Sequence, residues 1–193
     1  MRGTGRDPSG TVPFRGCPDR GAGPCGWLVA MPTPDFILSL RERIGHAPLW
    51  LPGVKAVVLR ADDAEVLLVR RADNGRWTLP AGILEPGEEP ADTAVREVQE
   101  ETGVKAVPRR LAGVAATAET TYPNGDRARY LDVIMVLDAV AGRPRVNDDE
   151  NFEVGWFPVD ATPELPPLHR RALTWALAGG AGRFVADGEV RGG

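Results

Sequence analysis

Residues 82–104 read GILEPGEEPADTAVREVQEETGV. This stretch contains one base, Arg96, and seven acids, which are Glu85, Glu88, Glu89, Asp92, Glu97, Glu100 and Glu101. Like charges packed this closely weaken a helix unless something positive offsets them. A bound divalent cation is the simplest offset, because hard cations such as Mg²⁺ prefer oxygen ligands. The stretch therefore indicates a metal site.

The stretch also predicts a helix from Pro90 to Thr102, because Pro suits the first helical position and Gly103 the position after the end. At about 100° per residue, Glu97, Glu100 and Glu101 share one face. They border an apolar stripe that we expect to pack on a sheet, formed by Ala91, Ala94, Val95, Val98 and Thr102. The plain alternative is a solvated acidic face. Against it, Glu100 and Glu101 lie in the last turn, where the helix dipole disfavours anions.

The spacing of the stretch resembles the Nudix box, G-x₅-E-x₇-R-E-U-x-E-E-x-G-U, in which U is apolar. Every defined position is filled, from Gly82 and Glu88 through Arg96-Glu97 to Val104. The resemblance covers roughly residues 50–178 and implies an α/β/α sandwich with a mixed sheet in a single domain. It also implies Mg²⁺- or Mn²⁺-dependent hydrolysis of a nucleoside diphosphate linked to another moiety.

By position, the resemblance makes Glu97, Glu100 and Glu101 metal ligands and makes Arg96 the residue that orients the first of them. Gly82 matches the glycine where the loop and helix pack closely. Glu85 and Glu88 match acids that bind an additional metal or stabilise the loop in some members, and we include Glu85 among the metal candidates.

The general base varies in this family, so Glu97 and Glu101 stay open beside Glu150, an acid in the loop Asn147–Asn151. Glu150 lies six residues before Trp156, where related enzymes carry a catalytic or metal-binding glutamate. The plain alternative for Glu150 is a solvated loop acid.

Three arginines, Arg70, Arg71 and Arg76, precede the box and are candidates for contact with substrate phosphates, although exposed loop arginines are the simpler interpretation. Trp77 and Tyr122 are candidates to stack on a base or to be buried.

The flanking sequence predicts strands and helices without a regular β-α-β repeat. We expect a helix over Asp35–Ile44, strands over Val54–Leu59, Glu65–Val69, Arg129–Val140 and Val154–Phe157, and a closing helix over Leu168–Leu177. Asn124-Gly125 indicates a hairpin turn. Trp50 and Trp175 are expected in the core.

The chain divides into three parts by composition. Residues 1–30 are rich in Gly and Pro and are expected to be a disordered leader, with Met31 as an alternative start. From the resemblance, residues 31–178 are expected to form a Nudix domain, and residues 179–193 are expected to be a frayed Gly-rich tail. Both cysteines, Cys17 and Cys25, fall in the leader, so the domain contains no disulfide framework.

Charge and hydropathy limit the kinds of partner that this chain is expected to bind. Residues 85–101 carry a net charge of −6, against −4 for the whole chain. Acid concentrated in this way does not indicate a nucleic-acid binder, and no apolar run approaches the ~18 residues of a membrane span. We expect a cytoplasmic enzyme for small-molecule nucleotides, with a homodimer left open.

The substrate has two candidates. Pro80-Ala81-Gly82 resembles ADP-ribose and nucleotide-sugar pyrophosphatases, whereas many MutT-type triphosphatases have Pro-Gly-Gly, so (deoxy)nucleoside triphosphates are the alternative. A non-catalytic Nudix-like nucleotide sensor is an alternative of another class. Such modules typically lose box carboxylates, and this box keeps all of them.

Overall fold

The computed structural model describes residues 33–122 and 124–192, and the leader expected over residues 1–30 lies outside them. In these residues the helices are α1 (Asp35–Ile44), α2 (Pro90–Thr102) and α3 (Pro167–Leu177). The strands are β1 (Leu49–Arg60), β2 (Glu65–Arg71), β3 (Trp77–Thr78), β4 (Ala81–Ile83), β5 (Lys105–Ala116), β6 (Thr120–Thr121), β7 (Arg127–Ala141), β8 (Asn151–Pro158), β9 (Phe184–Ala186) and β10 (Glu189–Arg191).

The central sheet is mixed, as the resemblance implied. Strands β1 and β7 run parallel over their length, from the pair Leu49–Ala128 to the pair Leu59–Asp138. Strand β5 is antiparallel to β7, and β8 is antiparallel to β2. Strand β1 pairs with β2 only at its end and with the short strand β4 through Gly53–Lys55. This last pairing fixes the start of the acidic stretch against the middle of the sheet.

Helices cover both faces of the sheet. Residues on both sides of β1 are therefore buried, and its sequence is apolar without alternation. Val54, Ala56 and Val58 pack with Ala94 and Val98 of α2 on one face. The other face packs against α3, through a cluster that includes Val57, Leu59, Ala172 and Trp175. The result is the expected α/β/α sandwich in a single domain.

Helix α2 has the predicted bounds. Pro90 occupies its first turn, and Gly103 ends it in the left-handed conformation (φ 68°) with its N–H donated to Gln99 O. The predicted inner stripe is buried at Ala94, Val98 and Thr102. Glu101 is also buried, with 6% of its surface exposed. Packing therefore brings one carboxylate of the cluster fully out of water.

Two expectations from the sequence were wrong. Residues 184–191 do not fray but form the hairpin β9–β10, which turns at Asp187-Gly188 with both φ values positive. Asp-Gly is a standard signal for such a turn. The preceding Arg183 hydrogen-bonds to Ala112 O and Val114 N, so the tail satisfies backbone groups along the outer edge of β5.

Trp50 is not a core residue, since 58% of its surface is exposed, whereas Trp175 is 4% exposed as expected. The pleat of β1 turns Leu51 inward and Trp50 outward. No helix among residues 33–122 and 124–192 is long and apolar enough to cross a membrane.

The two tryptophans give a direct test of the core. Trp175→Ala should lower the free energy of unfolding by about 3–5 kcal/mol, because it leaves a cavity under α3. Trp50→Ala should change it by less than about 0.5 kcal/mol, as for other surface substitutions. Urea denaturation followed by circular dichroism measures both, and similar losses in the two variants would contradict the assigned packing.

Candidate active site

The site begins where β4 passes under helix α2. A Cβ placed on Gly82 would overlap the Glu97 carboxylate, and the three atoms nearest to that Cβ all belong to Glu97. Only a residue without a side chain leaves room for the carboxylate here. The structure therefore places Gly82 as the resemblance implied, at the close approach of loop and helix.

The guanidinium of Arg96 donates hydrogen bonds to three carboxylates. Its Nε and Nη2 donate to Oε1 and Oε2 of Glu88 at 2.7 and 2.9 Å. Its Nη1 donates to Glu97 Oε1 at 2.9 Å and to Glu100 Oε2 at 3.0 Å. A planar fork that binds one carboxylate with two bonds is a geometry specific to arginine. Arg96 thereby sets the position of the Glu97 carboxylate.

Glu88 ties the loop before α2 to the helix. Besides Arg96, it accepts hydrogen bonds from Thr93 Oγ1 (2.9 Å) and from the backbone N–H of Glu85 (3.1 Å). The Arg96 hydrogen bonds lower the pKa of Glu88 to about 2. Glu88 is therefore ionised and committed to loop contacts, whereas Glu85 is exposed and lines an open cavity.

Glu101 differs from Glu88 in its partners, because backbone and amide groups bind it instead of Arg96. Ala81 N–H donates to its Oε1 at 3.0 Å, and Asn151 Nδ2 donates to its Oε2 at 3.3 Å. Burial raises its pKa well above the ordinary range, and repulsion from Glu97, Asp148 and Glu150 adds to that effect. The cluster thus carries more negative charge than its neighbours compensate.

Glu150 reaches this cluster from a separate loop. It shares a cavity with Glu85, Glu97 and Glu100, which we call the outer cavity (about 550 Å³). Burial raises the pKa of Glu150 to about 7, with Asp148 contributing through repulsion. The structure therefore places Glu150 in the same cavity as the box carboxylates Glu97 and Glu100.

Asn151 was not anticipated. Its buried side-chain amide donates to both Glu101 and Asp148, and so connects the acidic loop to helix α2. No sequence signal distinguishes it from any other loop asparagine, because its partners are distant in the chain.

A second cavity, the inner cavity (about 290 Å³), lies on the other side of Gly82 and Glu101. Its wall carries Arg71 and Arg76. It also carries the buried ion pair between Lys55 Nζ and Asp132 Oδ2, which are 2.8 Å apart. The inner cavity thus has three cations, Lys55, Arg71 and Arg76, beside the acids Glu101 and Asp132. The charged residues of the outer cavity are five acids and Arg96.

Arg70 does not line either cavity, in contrast to the candidate role given to it. Its guanidinium donates to Gly75 O and pairs with Glu153 at 3.5 Å on the exposed side. Successive side chains of a strand point to opposite faces, so Arg71 faces the cavity and Arg70 does not. Arg76 lies in the cavity wall as proposed.

One of the two aromatic candidates lines a cavity and the other does not. Trp77 packs edge-on against Phe157, with ring centroids 4.7 Å apart, and does not line either cavity. Tyr122 lines the inner cavity, and its hydroxyl lies 2.6 Å from that of Tyr130.

The donor set fits a hard divalent cation by its chemistry, since every side chain concerned offers carboxylate oxygens. In residues 33–122 and 124–192, however, no three such side chains stand in metal-binding positions together. Arg96 Nη1 donates to one oxygen each of Glu97 and Glu100. The Glu100 side chain is 56% exposed.

Comparison with known proteins agrees with this geometry. The family model described as NUDIX domain matches residues 50–176. A MutT-like protein of Streptomyces ambofaciens is 48% identical over 66% of this chain and 76% of its own. An ADP-ribose pyrophosphatase of Methanocaldococcus jannaschii is 29% identical over 63% of this chain and 71% of its own.

Among solved structures, a NUDIX hydrolase from Nitrosomonas europaea shares 28% identity with a TM-score of 0.50, covering 68% of this chain and 90% of that one. The family model spans well over half of the chain, and the glycine, arginine and glutamates of the motif meet where β4 passes under α2. The chain therefore belongs to the Nudix family and is a Nudix pyrophosphohydrolase.

Proposed function

We propose that this protein hydrolyses a nucleoside diphosphate linked to another moiety, with Mg²⁺ or Mn²⁺, and that ADP-ribose or a nucleotide sugar is the preferred substrate. Pro80-Ala81-Gly82 and the similarity to the ADP-ribose pyrophosphatase of M. jannaschii support this choice. (Deoxy)nucleoside triphosphates are the competing substrate class.

The observation that carries the proposal is the contrast between the two cavities. The outer cavity is predominantly acidic, with Glu85, Glu97, Glu100 and Glu150 beside Arg96. The inner cavity adds Arg71 and Arg76, and its acids Asp132 and Glu101 are bound by Lys55 and by the Ala81 N–H. A diphosphate that crosses the boundary at Gly82 meets the carboxylates on one side and Arg71 on the other. Such a site suits an anionic chain with a group at each end better than a single phosphate.

We assign separate roles to the residues of the site. Glu97, Glu100 and Glu101 are the proposed metal ligands, and Glu85 is an auxiliary one. When bound, a divalent cation offsets the charge of the diphosphate and polarises phosphorus towards attack. Arg71 and Arg76 bind phosphate oxygens of the substrate.

Proton transfer is assigned to Glu150. Its carboxylate accepts the proton of the attacking water, because it faces the outer cavity from outside the α2 cluster and is not held by Arg96. Arg96 itself is a positioning residue, since it acts through Glu97.

A substrate panel tests the proposal. ADP-ribose, nucleotide sugars and nucleoside triphosphates are incubated with protein and Mg²⁺ in ¹⁸O-labelled water, and the labelled product shows which phosphorus is attacked. Fastest turnover of ADP-ribose or a nucleotide sugar is expected. Preference for triphosphates would overturn the substrate class, and tight binding without turnover would favour a nucleotide sensor.

Glu100→Gln should lower kcat/KM by about a hundredfold or more, because even changes outside the ligand shell of a metal cost about 10–100-fold. Glu89→Gln is the matched control, since Glu89 is an exposed acid of the same stretch and makes no cap hydrogen bond. The control should keep wild-type activity. A fully active Glu97→Gln/Glu100→Gln double variant would refute the site.

Gly82→Ala should lower kcat about a hundredfold while leaving the melting temperature nearly unchanged. The φ of Gly82 is not positive, so alanine is allowed by the backbone, but its Cβ displaces the Glu97 carboxylate. Misplacing a catalytic group by about 1 Å costs on that order. Steady-state kinetics beside thermal unfolding separates the two effects, and unchanged kcat would contradict the assigned contact.

Stability of the metal-free protein should fall between about pH 5 and pH 8. Burial raises the folded-state pKa of Glu97, Glu101 and Glu150, the last to about 7. The native state therefore binds more protons than the unfolded chain, and the free energy of unfolding decreases as pH rises through this window.

Added Mg²⁺ should oppose that loss, because a bound cation stabilises the ionised cluster; binding at 100 times Kd contributes about 2.7 kcal/mol. The melting temperature in EDTA and in Mg²⁺, measured at pH 5 and pH 8, checks this. The increase should be larger at pH 8, and an equal increase at both pH values would count against a metal at these carboxylates.

The cytoplasmic location and the homodimer stay predictions. Fractionation of the native host cells tests the first, and sedimentation of the full chain tests the second.

A further inference from the structure

His169, to which the sequence assigns no role, is a hydrogen-bond donor of the inner cavity. It lies in the first turn of α3, next to Leu79. The backbone N–H of Leu79 donates to His169 Nδ1 at 3.2 Å. A ring nitrogen that accepts a hydrogen bond carries no proton, so the proton of the neutral ring is on Nε2.

The surroundings keep this ring neutral. Burial lowers the pKa of His169 to about 3, and the nearby cations Lys55 and Arg71 lower it further. The acids that share the cavity wall, Asp132 and Glu101, are held by Lys55 and by the Ala81 N–H. The imidazole is therefore a fixed N–H donor at neutral pH and not a titrating base.

Among the described residues no group accepts a hydrogen bond from the Nε2–H, and this nitrogen is not one of the buried side-chain atoms that lack a partner. His169 is partly exposed and lines the inner cavity. A ligand oxygen that accepts from this donor would form a hydrogen bond that the protein itself does not supply, and so would stabilise the complex.

One backbone segment contacts both His169 and the acid cluster. Leu79 N–H binds His169, and Ala81 N–H, two residues on, binds Glu101. Pro80 between them faces the other way and accepts from Ala56 N–H. The segment that joins β3 and β4 therefore binds His169 and Glu101 at positions two residues apart.

We propose that His169 is a substrate-binding, specificity-determining residue whose Nε2–H donates to an oxygen of the group that the diphosphate carries. His169 lines the inner cavity, whereas Glu97 and Glu100 line the outer one, so its donor meets a part of the substrate away from those two carboxylates. The ligand class rests on the proposed function, whereas the donor itself rests on the geometry of Leu79 and α3.

The rest of the wall fits a hydroxylated group such as a sugar. Asp132 and Lys55 offer an acceptor and a donor side by side. The paired hydroxyls of Tyr122 and Tyr130 offer both as well. A sugar hydroxyl donates one hydrogen bond and accepts others, so it can use each of these together with His169.

Two substitutions test the roles of the two ring nitrogens separately. His169→Asn places an amide oxygen near Nδ1, which keeps the Leu79 contact but removes the outer donor. His169→Gln places an amide N–H near Nε2, which keeps a donor but loosens the Leu79 contact. Binding is measured by calorimetry with Mg²⁺ and the α,β-methylene analogue of ADP-ribose, whose bridging carbon resists hydrolysis, and with AMP, which lacks the second sugar.

His169→Asn should raise the Kd of the analogue about three- to tenfold, the range of one neutral hydrogen bond, and leave the Kd of AMP unchanged. His169→Gln should lose less. Equal losses for both ligands, no loss in His169→Asn, or no binding of the analogue at millimolar concentration would each overturn the proposal.

Nitrogen NMR of ¹⁵N-histidine protein provides a readout that a structural role would not move. The chain has two histidines, and the 68%-exposed His46 serves as the internal control. His169 should show the Nε2–H form throughout pH 5–8, with an Nε2 shift on addition of the analogue. A proton on Nδ1, or titration in that range, would overturn the assignment.

The two proposals fail separately. An analogue-dependent Nε2 shift in a protein that hydrolyses no member of the panel would retain His169 and reject the reaction. Hydrolysis of ADP-ribose with an unaltered His169→Asn variant would reject His169 and retain the reaction.

Discussion

The contact of the Arg96 guanidinium with Glu88, Glu97 and Glu100 is the interaction on which the site depends. Carboxylates crowded at the edge of a buried helix face repel one another and resist desolvation. A single planar cation with fixed donors relieves that repulsion and fixes the carboxylate positions at the same time. Gly82 completes the arrangement, because β4 can pass under Glu97 only without a side chain.

The same constraint organises the two cavities. Strand β1 pairs with β4 through Gly53–Lys55, and this pairing places Ala81 and Gly82 in the wall of the inner cavity and Ile83 in the walls of both cavities. Residues 79–82 contact His169, Glu101 and Glu97 in turn. One short segment therefore links the carboxylates of the motif to the inner cavity.

Local signals predicted most elements of the fold. Pro90 and Gly103 bounded α2, and continuous β-branched residues indicated the buried strand β1. The hairpin at Asp187-Gly188 carried an equally local signal, but the surrounding glycines hid it. Trp50 was misplaced because size and hydrophobicity do not say which side of a pleat a residue occupies at the end of a sheet.

By itself, the sequence determined the carboxylate cluster, its helical spacing and the family, because these depend on residues within one turn or one motif of each other. The tertiary structure decided which groups meet the cluster from elsewhere: Asn151 on Glu101, Arg71 instead of Arg70, and His169 on Leu79. Each of these joins segments distant in the chain. Their burial and hydrogen-bond partners, and hence their protonation and donor roles, exist only after the sheet and α3 have packed.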